Sequence, residues 1–468
     1  MPATQTTLND ILKEFYLGPV QEQLNNSVMV LDLMTKATVD WNGRVAIIPI
    51  HVSRNSGVAF RGESNGTPAT QLPTAGDQGY SRLQVNAHFL YGRFQITGPA
   101  MSAAGKGGAN SFIGWMEAEM DKLVNDVKNA SDNAMISGGR VLGFLNEHKT
   151  SGGAVPAVFT DWECFGDIEK IQSLLDQVTA APVGATELLV DLVRVDRNAA
   201  LGYTVLPSCS QIALLQVDAI ARTINLEDVD LDGAGGQVTT VPTDDGFAIA
   251  VVVSANQQNA AAITVVENLD EEPIGIFGNL ASRTHFTVDR FSPGTGTSFT
   301  ALQSTIITQV DTGLQTRAPL SLPRMQATMD QVNQLSGQEP DCILISPLSR
   351  QQYAALFQLT ANTSASVMNT SGERSNNIDG GFSGMSYGGL PIKTARHVGG
   401  GGMIFLKLSS WKVLELEAHG FADLDGSVLA RAGVGTAGVD AYEGYYRWYY
   451  NTVTTNPNQN AILCGFTV

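Results

Sequence analysis

The chain is poor in cysteine, and its cysteines form no recognisable pattern. Cys164, Cys209, Cys342 and Cys464 lie far apart with no C-x-x-C pair, which argues against a zinc ribbon or a disulfide framework and suits buried thiols in a reducing compartment. Long apolar runs are missing as well: none approaches the ~18–20 residues that span a bilayer. The first thirty residues carry polar and acidic groups throughout, so neither a signal peptide nor a membrane anchor is expected. Positive charge is scarce. With 28 Lys and Arg against 45 Asp and Glu, the net charge of −17 has the wrong sign for a surface that wraps nucleic acid through clustered cations. His51, His88, His148, His285, His397 and His419 make no H-E-x-x-H or H-x-x-x-H spacing, which excludes the familiar helical zinc site. There is no G-K-[ST], so no P-loop is present. An enzyme is not expected, nor is a cofactor.

What is present describes a large, loop-rich globular protein. The chain has 468 residues, 43% of them hydrophobic and 48 of them glycine, enough for two or three structural units. Residues 1–43 contain "LNDILKEFY" and "VMVLDLM", short amphipathic stretches that read as an arm packing on a neighbour more easily than on itself. Residues 44–100 place "RVAIIPI" and "LQVNAHFLYGRFQIT" on either side of a Gly- and Pro-rich middle, which reads as a long hairpin whose tip cannot build a core of its own. Arg44, Arg54, Arg61, Arg82 and Arg93 against Glu63 and Asp77 give this hairpin a net charge of +3, opposite to the rest of the chain.

Residues 101–185 hold a helix and the start of an α/β body. Phe112, Met116, Met120, Leu123, Val127, Ala130 and Ala134 recur in steps of three and four, which predicts one amphipathic helix over 111–136. Asn110 or Ser111 is placed to cap it and Gly138 and Gly139 to end it. Residues 186–275 carry apolar runs such as "ELLVDLVRV", "SQIALLQV", "FAIAVVVSA" and "AAITVVEN", with fourteen acidic residues against Arg194, Arg197 and Arg222. This segment reads as an inserted acidic β-sandwich or barrel of net charge −11. Residues 276–468 contain a helix capped by Ser321 and stopped by Gly337, a buried strand "DCILI" feeding a helix at Ser346 and Pro347, and a strand-rich end.

Three motifs invite chemistry. "GVGTAG", Gly433 to Gly438, matches the dinucleotide pattern, but an aromatic run suited to a strand follows it, where phosphate binding needs a helix start. "DVDLDG" sets Asp228, Asp230 and Asp232 on alternate positions like the opening of a calcium loop, yet its twelfth position is Thr239 rather than Glu; an acidic turn and a cation site both stay open. Gly399 to Gly402, between "LPIKTARHV" and "MIFLKL", lack the working parts of a phosphate cradle and read as a flexible reversal between strands.

The order of elements is the most informative feature. "GRVAIIPI…QVNAHFLYGRFQITGPA", "SFIGWMEAEMDKLVNDVKNASDNAMISGG", "RVLGFLNE", "GIFGNLASRTHFTVDRFSPG", "LSLPRMQATMDQV", "EPDCILISPLSRQQYAAL" and "GFSGMSYGGLPIKTARHVGGGGMIFL" together resemble the major capsid protein of tailed double-stranded DNA bacteriophages, whose fold encapsulins share. The resemblance implies an α+β fold with N-terminal arm, extended loop, spine helix, and peripheral and axial domains, to which the acidic β-domain is added. It implies self-assembly as hexamers and pentamers into an icosahedral shell around viral DNA, made in the bacterial cytoplasm and found in the virion, with a portal, a scaffolding protein and a cement or decoration protein as partners. An encapsulin-like compartment, or less favourably a ligand- or calcium-binding enzyme, is the alternative. Some members of the family weld subunits through a lysine in the extended loop; residues 41–105 contain only Arg as long cations, so noncovalent contacts are expected. Arg54, Arg61, Glu63 and Arg82 are the candidate inter-subunit contacts at the loop tip. The acidic insertion is expected to decorate the outside.

Overall fold

The computed structural model describes residues 30–37, 39–60, 74–99, 102, 109–146, 159–179, 188–195, 203–205, 210–227, 248–257, 260–290, 302–308, 318–363, 385–423, 429–431 and 440–466. The amphipathic helix predicted over 111–136 runs from Ala109 to Ser137, about 43 Å at ~1.5 Å per residue. It ends where Gly139 turns to positive φ. This spine lies across a sheet in which Thr35–Ala37, Trp411–Phe421, Ala441–Thr454 and His88–Thr97 are neighbours in that order. Met120 and Leu123 of the spine pack on Phe94 and Ile96 of the last of these strands.

The second apolar run of the hairpin region is two strands. Gly79–Asn86 pairs with Val45–Ser53 to make the hairpin, and after Ala87 the chain continues as His88–Thr97 in the spine-covered sheet. The hairpin's base rests on its own body: Ala46, Ile50, Leu83 and Val85 share a core with Leu414 and Val453. The arm reading also needs correction at its C-terminal end. Val30 and Met34 of "VMVLDLM" are buried in the main core of their own chain. The reason is a buried carboxylate: Asp132 on the spine accepts the Val30 and Leu31 N–H groups at 2.8 and 3.1 Å. Residues 1–29 lie outside the described residues.

Strands of the acidic segment close into a ring, but not by themselves. Ile212–Asp218, Thr223–Glu227, Phe159–Gly166, Val141–Leu145, Ala248–Val253 and Leu188–Val195 pair in sequence, and the last pairs back to the first. Two strands of this ring precede residue 186, so the sheet extends beyond the 186–275 segment. The run "AAITVVEN" is helical, not extended: Ala260–Asp270 is a helix that buries Ala262, Val265, Val266 and Leu269. Those positions follow the three-and-four spacing of a helix face, and burying that face against the ring outweighs the strand preference of Ile263, Val265 and Val266. With the helix Ile168–Thr179 it shares one core with the strands of the ring.

A third, six-stranded sheet has the order Thr305–Thr308, Ala461–Cys464, Gly402–Leu406, Cys342–Ile345, Leu390–Thr394, Met385–Tyr387. Ile343, Ile345, Met403 and Phe405 face the helix Leu322–Ser336, while Cys342, Leu344, Ile404 and Leu406 face the main core. Burial on both faces explains why these strands are continuously apolar. Ser321 stands at the N-cap position without a side-chain capping bond and Gly337 ends the helix at φ +69, while the Ser346 hydroxyl accepts the Ser349 N–H at 3.1 Å. The spine differs from expectation, since it starts at Ala109 and takes Asn110 and Ser111 inside it.

The glycine run corrects the sequence reading. Gly399 to Gly402 are all buried, and the strands they join are not partners, because Cys342–Ile345 lies between them. A Cβ on Gly399 would stand 2.3 Å from the Gly166 nitrogen, and one on Gly402 2.4 Å from the Phe165 ring. Asn146 stitches the seam, donating to Gly400 O at 3.0 Å and accepting the Gly465 N–H at 3.1 Å. These glycines let two sheets touch backbone to backbone; they are not a flexible reversal.

Candidate assembly surface

Ionisable groups in the body are committed to structure. Burial, aided by the nearby Arg290 charge, holds His285 down to about 3, so it is neutral, with Nε2 2.8 Å from Thr454 O. Burial pushes the Cys164 and Cys464 thiols up to about 12, well away from nucleophilic thiolates; Cys342 is also buried and free, and Cys209 lies outside the described residues. Arg290 is fully buried and donates to the carbonyls of Gly278, Leu280 and Leu302, fastening the end of the short helix Ile276–Ala281. His397 meets Asp167 at 2.7 Å. Desolvation works against its charge, but the Asp167 carboxylate more than offsets this and raises its pKa above the ordinary value. Asp167 also accepts the Glu169 and Lys170 N–H groups, and its neighbour Glu169 grips Arg396 with both oxygens at 2.8 Å. This cluster joins the six-stranded sheet to the ring. Among the described residues no group of three or more His, Cys, Asp or Glu is placed to hold a metal; Asp228, Asp230 and Asp232 lie outside them, as do Gly433 to Gly438.

The surface is where unspent interaction potential collects. Past its packed base the hairpin leaves Val58 85% exposed, Phe60 fully exposed and Tyr80 70% exposed. Arg54 and Arg82 are exposed on the same hairpin, but Arg82 is not at its tip: it lies within the strand Gly79–Asn86, opposite Pro49. Arg61 and Glu63 fall outside the described residues. Among the described residues neither Arg54 nor Arg82 forms an ion pair. A second surface feature escaped the sequence reading. The face of the spine sheet turned away from the helix carries Phe89, Tyr91, Tyr445 and Tyr449. Phe89 and Tyr449 meet edge to face at 4.8 Å, and the Tyr91 and Tyr449 hydroxyls are 2.9 Å apart. Ion pairs of Arg93 with Glu443 and Arg447 with Glu417 flank them. The alternation Tyr445, Arg447, Tyr449 and Phe89, Tyr91, Arg93 was the available signal, since period two on a half-covered sheet marks its outer face.

No family model and no curated protein matches this sequence. Solved structures do match. A chain of the cyanophage A-1(L) capsid asymmetric unit aligns over 100% of both chains with a TM-score of 0.50 at 10% identity. This protein shares that capsid chain's fold. Weaker likenesses include the capsid of a native GTA particle, TM-score 0.41 at 8% identity over 97% of this chain and 96% of that one, and Mycobacterium phage Adephagia, TM-score 0.39 at 11% identity over 100% and 99%. The capsid-type fold runs the full length of the chain, so hairpin, spine, ring and six-stranded sheet all belong to one whole-chain alignment. Among the described residues no helix is long and apolar enough to cross a membrane.

Proposed function

We propose that this chain is the major capsid protein of a tailed double-stranded DNA phage, building hexamers and pentamers of an icosahedral shell that encloses the genome in the virion. The supporting observation is the whole-length capsid fold combined with a hairpin whose distal half leaves Val58, Phe60 and Tyr80 uncovered. A monomer gains nothing from that arrangement; a lattice of copies buries it. In this reading the arm ends where Val30 and Met34 enter the chain's own core, the extended loop is the hairpin that ends at Asn86, the spine and the strand His88–Thr97 belong to the body, and the acidic segment 186–275 is added to a sheet that begins before it. Arg54, Arg61 and Arg82 pair with acidic groups of neighbouring subunits, and Glu63 with a basic one. Scaffold, portal and cement proteins complete the particle, and the role is structural rather than enzymatic. Electron microscopy and sedimentation of the purified chain test this: shells of one diameter are expected, and packaged DNA in particles from infected cells separates a virus from a protein compartment. A chain that stays monomeric at high concentration, with scaffold supplied, overturns the reading.

A further inference from the structure

Strand edges in this molecule are closed in different ways. The hydrogen bond from the Ala87 N–H to Arg44 O sets the phase of the hairpin ladder. Because alternate residues bond across an antiparallel pair, Val45, Ile47, Pro49 and His51 on one strand and Arg82, Gln84 and Asn86 on the other turn their backbone groups outward. Both outward edges are guarded. Pro49 has no N–H to offer a further strand. Opposite it, the Arg82 carbonyl already accepts the Thr287 hydroxyl at 3.1 Å, and the Asn86 carbonyl accepts the Asn451 amide at 2.7 Å.

The strand His88–Thr97 has no such guard. Its phase follows from the Gly98 N–H donating to Asp440 O at 2.8 Å and from an unbroken register against Ala441–Tyr450. Gly92, Phe94 and Ile96 therefore bond inward to the long strand. Phe89, Tyr91, Arg93, Gln95 and Thr97 turn both N–H and C=O to the opposite edge. Among the described residues no strand pairs there. The sequence HFLYGRFQIT holds no Pro and no Lys, its register has no bulge, and its one charged side chain, Arg93, is engaged by Glu443 of the neighbouring strand, so little keeps this edge strand from pairing. Beside the edge stands the aromatic shelf, with Phe89 and Tyr91 40% and 56% exposed.

We propose that this edge accepts an added strand from a second copy of this chain. The identity of the occupant rests on the shell reading; the open edge does not. Two observations favour the chain's own copy. The edge strand continues from the hairpin through Ala87, so a copy lying along the hairpin reaches it. The segment Arg54–Phe60 lies past the end of the hairpin's ladder and carries Val58 and Phe60 uncovered at a two-residue spacing. An added strand with that spacing lays both side chains on one face, beside Phe89 and Tyr91, the pattern of strand-addition recognition in which backbone bonds give affinity and alternate side chains give specificity. Joining two different parts of identical chains is a heterologous contact, which closes a ring when the rotation between copies fits.

Residue-resolved hydrogen exchange on assembled particles and on the unassembled chain tests this. The amides of Phe89, Tyr91, Arg93, Gln95 and Thr97 are expected to slow by at least about 100-fold on assembly, while those of Gly92, Phe94 and Ile96 are slow in both states. Tyr91→Pro removes one outward N–H and no bond to the long strand, and is expected to abolish shell formation. Phe89→Lys, which installs a guard without touching the backbone, covers the case in which the proline variant does not fold and is expected to cut particle yield at least about fivefold while the free chain still folds, its melting temperature lowered only by the lost contact with Tyr449. Shells whose five outward amides exchange as fast as in the free chain overturn the proposal and leave the shell reading standing. A chain that never assembles overturns both. Protection that appears only when a different phage protein is added overturns the choice of occupant.

Discussion

The six-stranded sheet and the hairpin are both made of alternating or continuous apolar strands, yet one is sealed and the other is half open. Gly402–Leu406 and Cys342–Ile345 are buried on both faces, between a helix and the main core. Val45–Ser53 and Gly79–Asn86 reach a core with one face only, through Ala46, Ile48, Ile50, Val52, Leu83 and Val85, and Val58, Phe60 and Tyr80 beyond or opposite that face meet none. On the shell reading, the difference separates what folds the chain from what joins chains. Apolar area hidden within one copy stabilises that copy, at about 25 cal/mol per Å²; the same kind of area left outside contributes only when another surface arrives. Mutations in the two regions should accordingly divide between loss of folding and loss of assembly.

The largest effect is expected at the glycine seam. Gly399→Val drives a branched side chain into the Gly166 backbone, where even a Cβ stands 2.3 Å from a nitrogen. The contact is with main chain, which cannot swing aside, so a loss of about 3 kcal/mol or more is expected. Denaturant unfolding of soluble protein, or failure to obtain any, reads it out. If Gly399→Val folds with a wild-type midpoint, the seam is looser than described and the contrast with the hairpin dissolves. Next comes Asn146→Ala, which leaves Gly400 O and the Gly465 N–H without their buried partner and is expected to cost about 2–3 kcal/mol. Asn146→Asp should fare no better, since a carboxylate cannot donate to Gly400 O.

These two sites also show where sequence reading stops. The spine was legible because Phe112, Met116, Met120, Leu123, Val127, Ala130 and Ala134 repeat a local period, and helix caps at Ser321, Gly337 and Ser346 are local chemistry. The seam was not: four glycines look the same in a loose loop and in a tight contact, and only Gly166 and Phe165, more than 200 residues away, decide between them. The helix Ala260–Asp270 was misread because its β-branched residues were weighed above the spacing of Ala262, Val265, Val266 and Leu269. Period-two patterns announced strands but not their partners, so the ring's dependence on Val141–Leu145 and Phe159–Gly166 was hidden. Of the candidate surface, the exposure of Arg54 and Arg82 followed from their polar setting, whereas the aromatic shelf needed two distant strands to be placed side by side.

A smaller, pH-dependent effect is expected at the joint between the sealed sheet and the ring. His397 is attracted by Asp167 and Asp132 and repelled by Arg396, and its pKa in the folded chain is raised above the usual 6.5. A raised folded value means that protonation favours the folded state. The contribution is fully present below the ordinary value and fades as pH rises through the raised one. His397→Gln should therefore lower the melting temperature most near pH 5 and progressively less toward pH 9. A gap between wild type and variant that stays constant across that range would show that the ring's packing, and not its charge, holds the joint.

In the open region the expected signature is reversed: little change in the isolated chain and a clear change in particles. Phe60→Ser removes a fully exposed ring, so monomer stability should stay within about 0.5 kcal/mol while particle yield falls.

The smallest effects belong to the hairpin charges. Arg54→Glu, Arg61→Glu and Arg82→Glu each reverse a charge on a segment of net +3 facing a chain of net −17, but exposed pairs contribute only about 0–1 kcal/mol each. One reversal repeated at every copy of a closed lattice still adds up, and salt should mask it, because the Debye length falls from about 10 Å at 0.1 M to about 3 Å at 1 M. Arg61→Glu is thus expected to reduce particle yield at low salt and to approach wild type at high salt. Equal yields at both ionic strengths would remove the arginines from the contact and leave the apolar tip, with Val58 and Phe60, as the feature that distinguishes the hairpin from the sealed sheet.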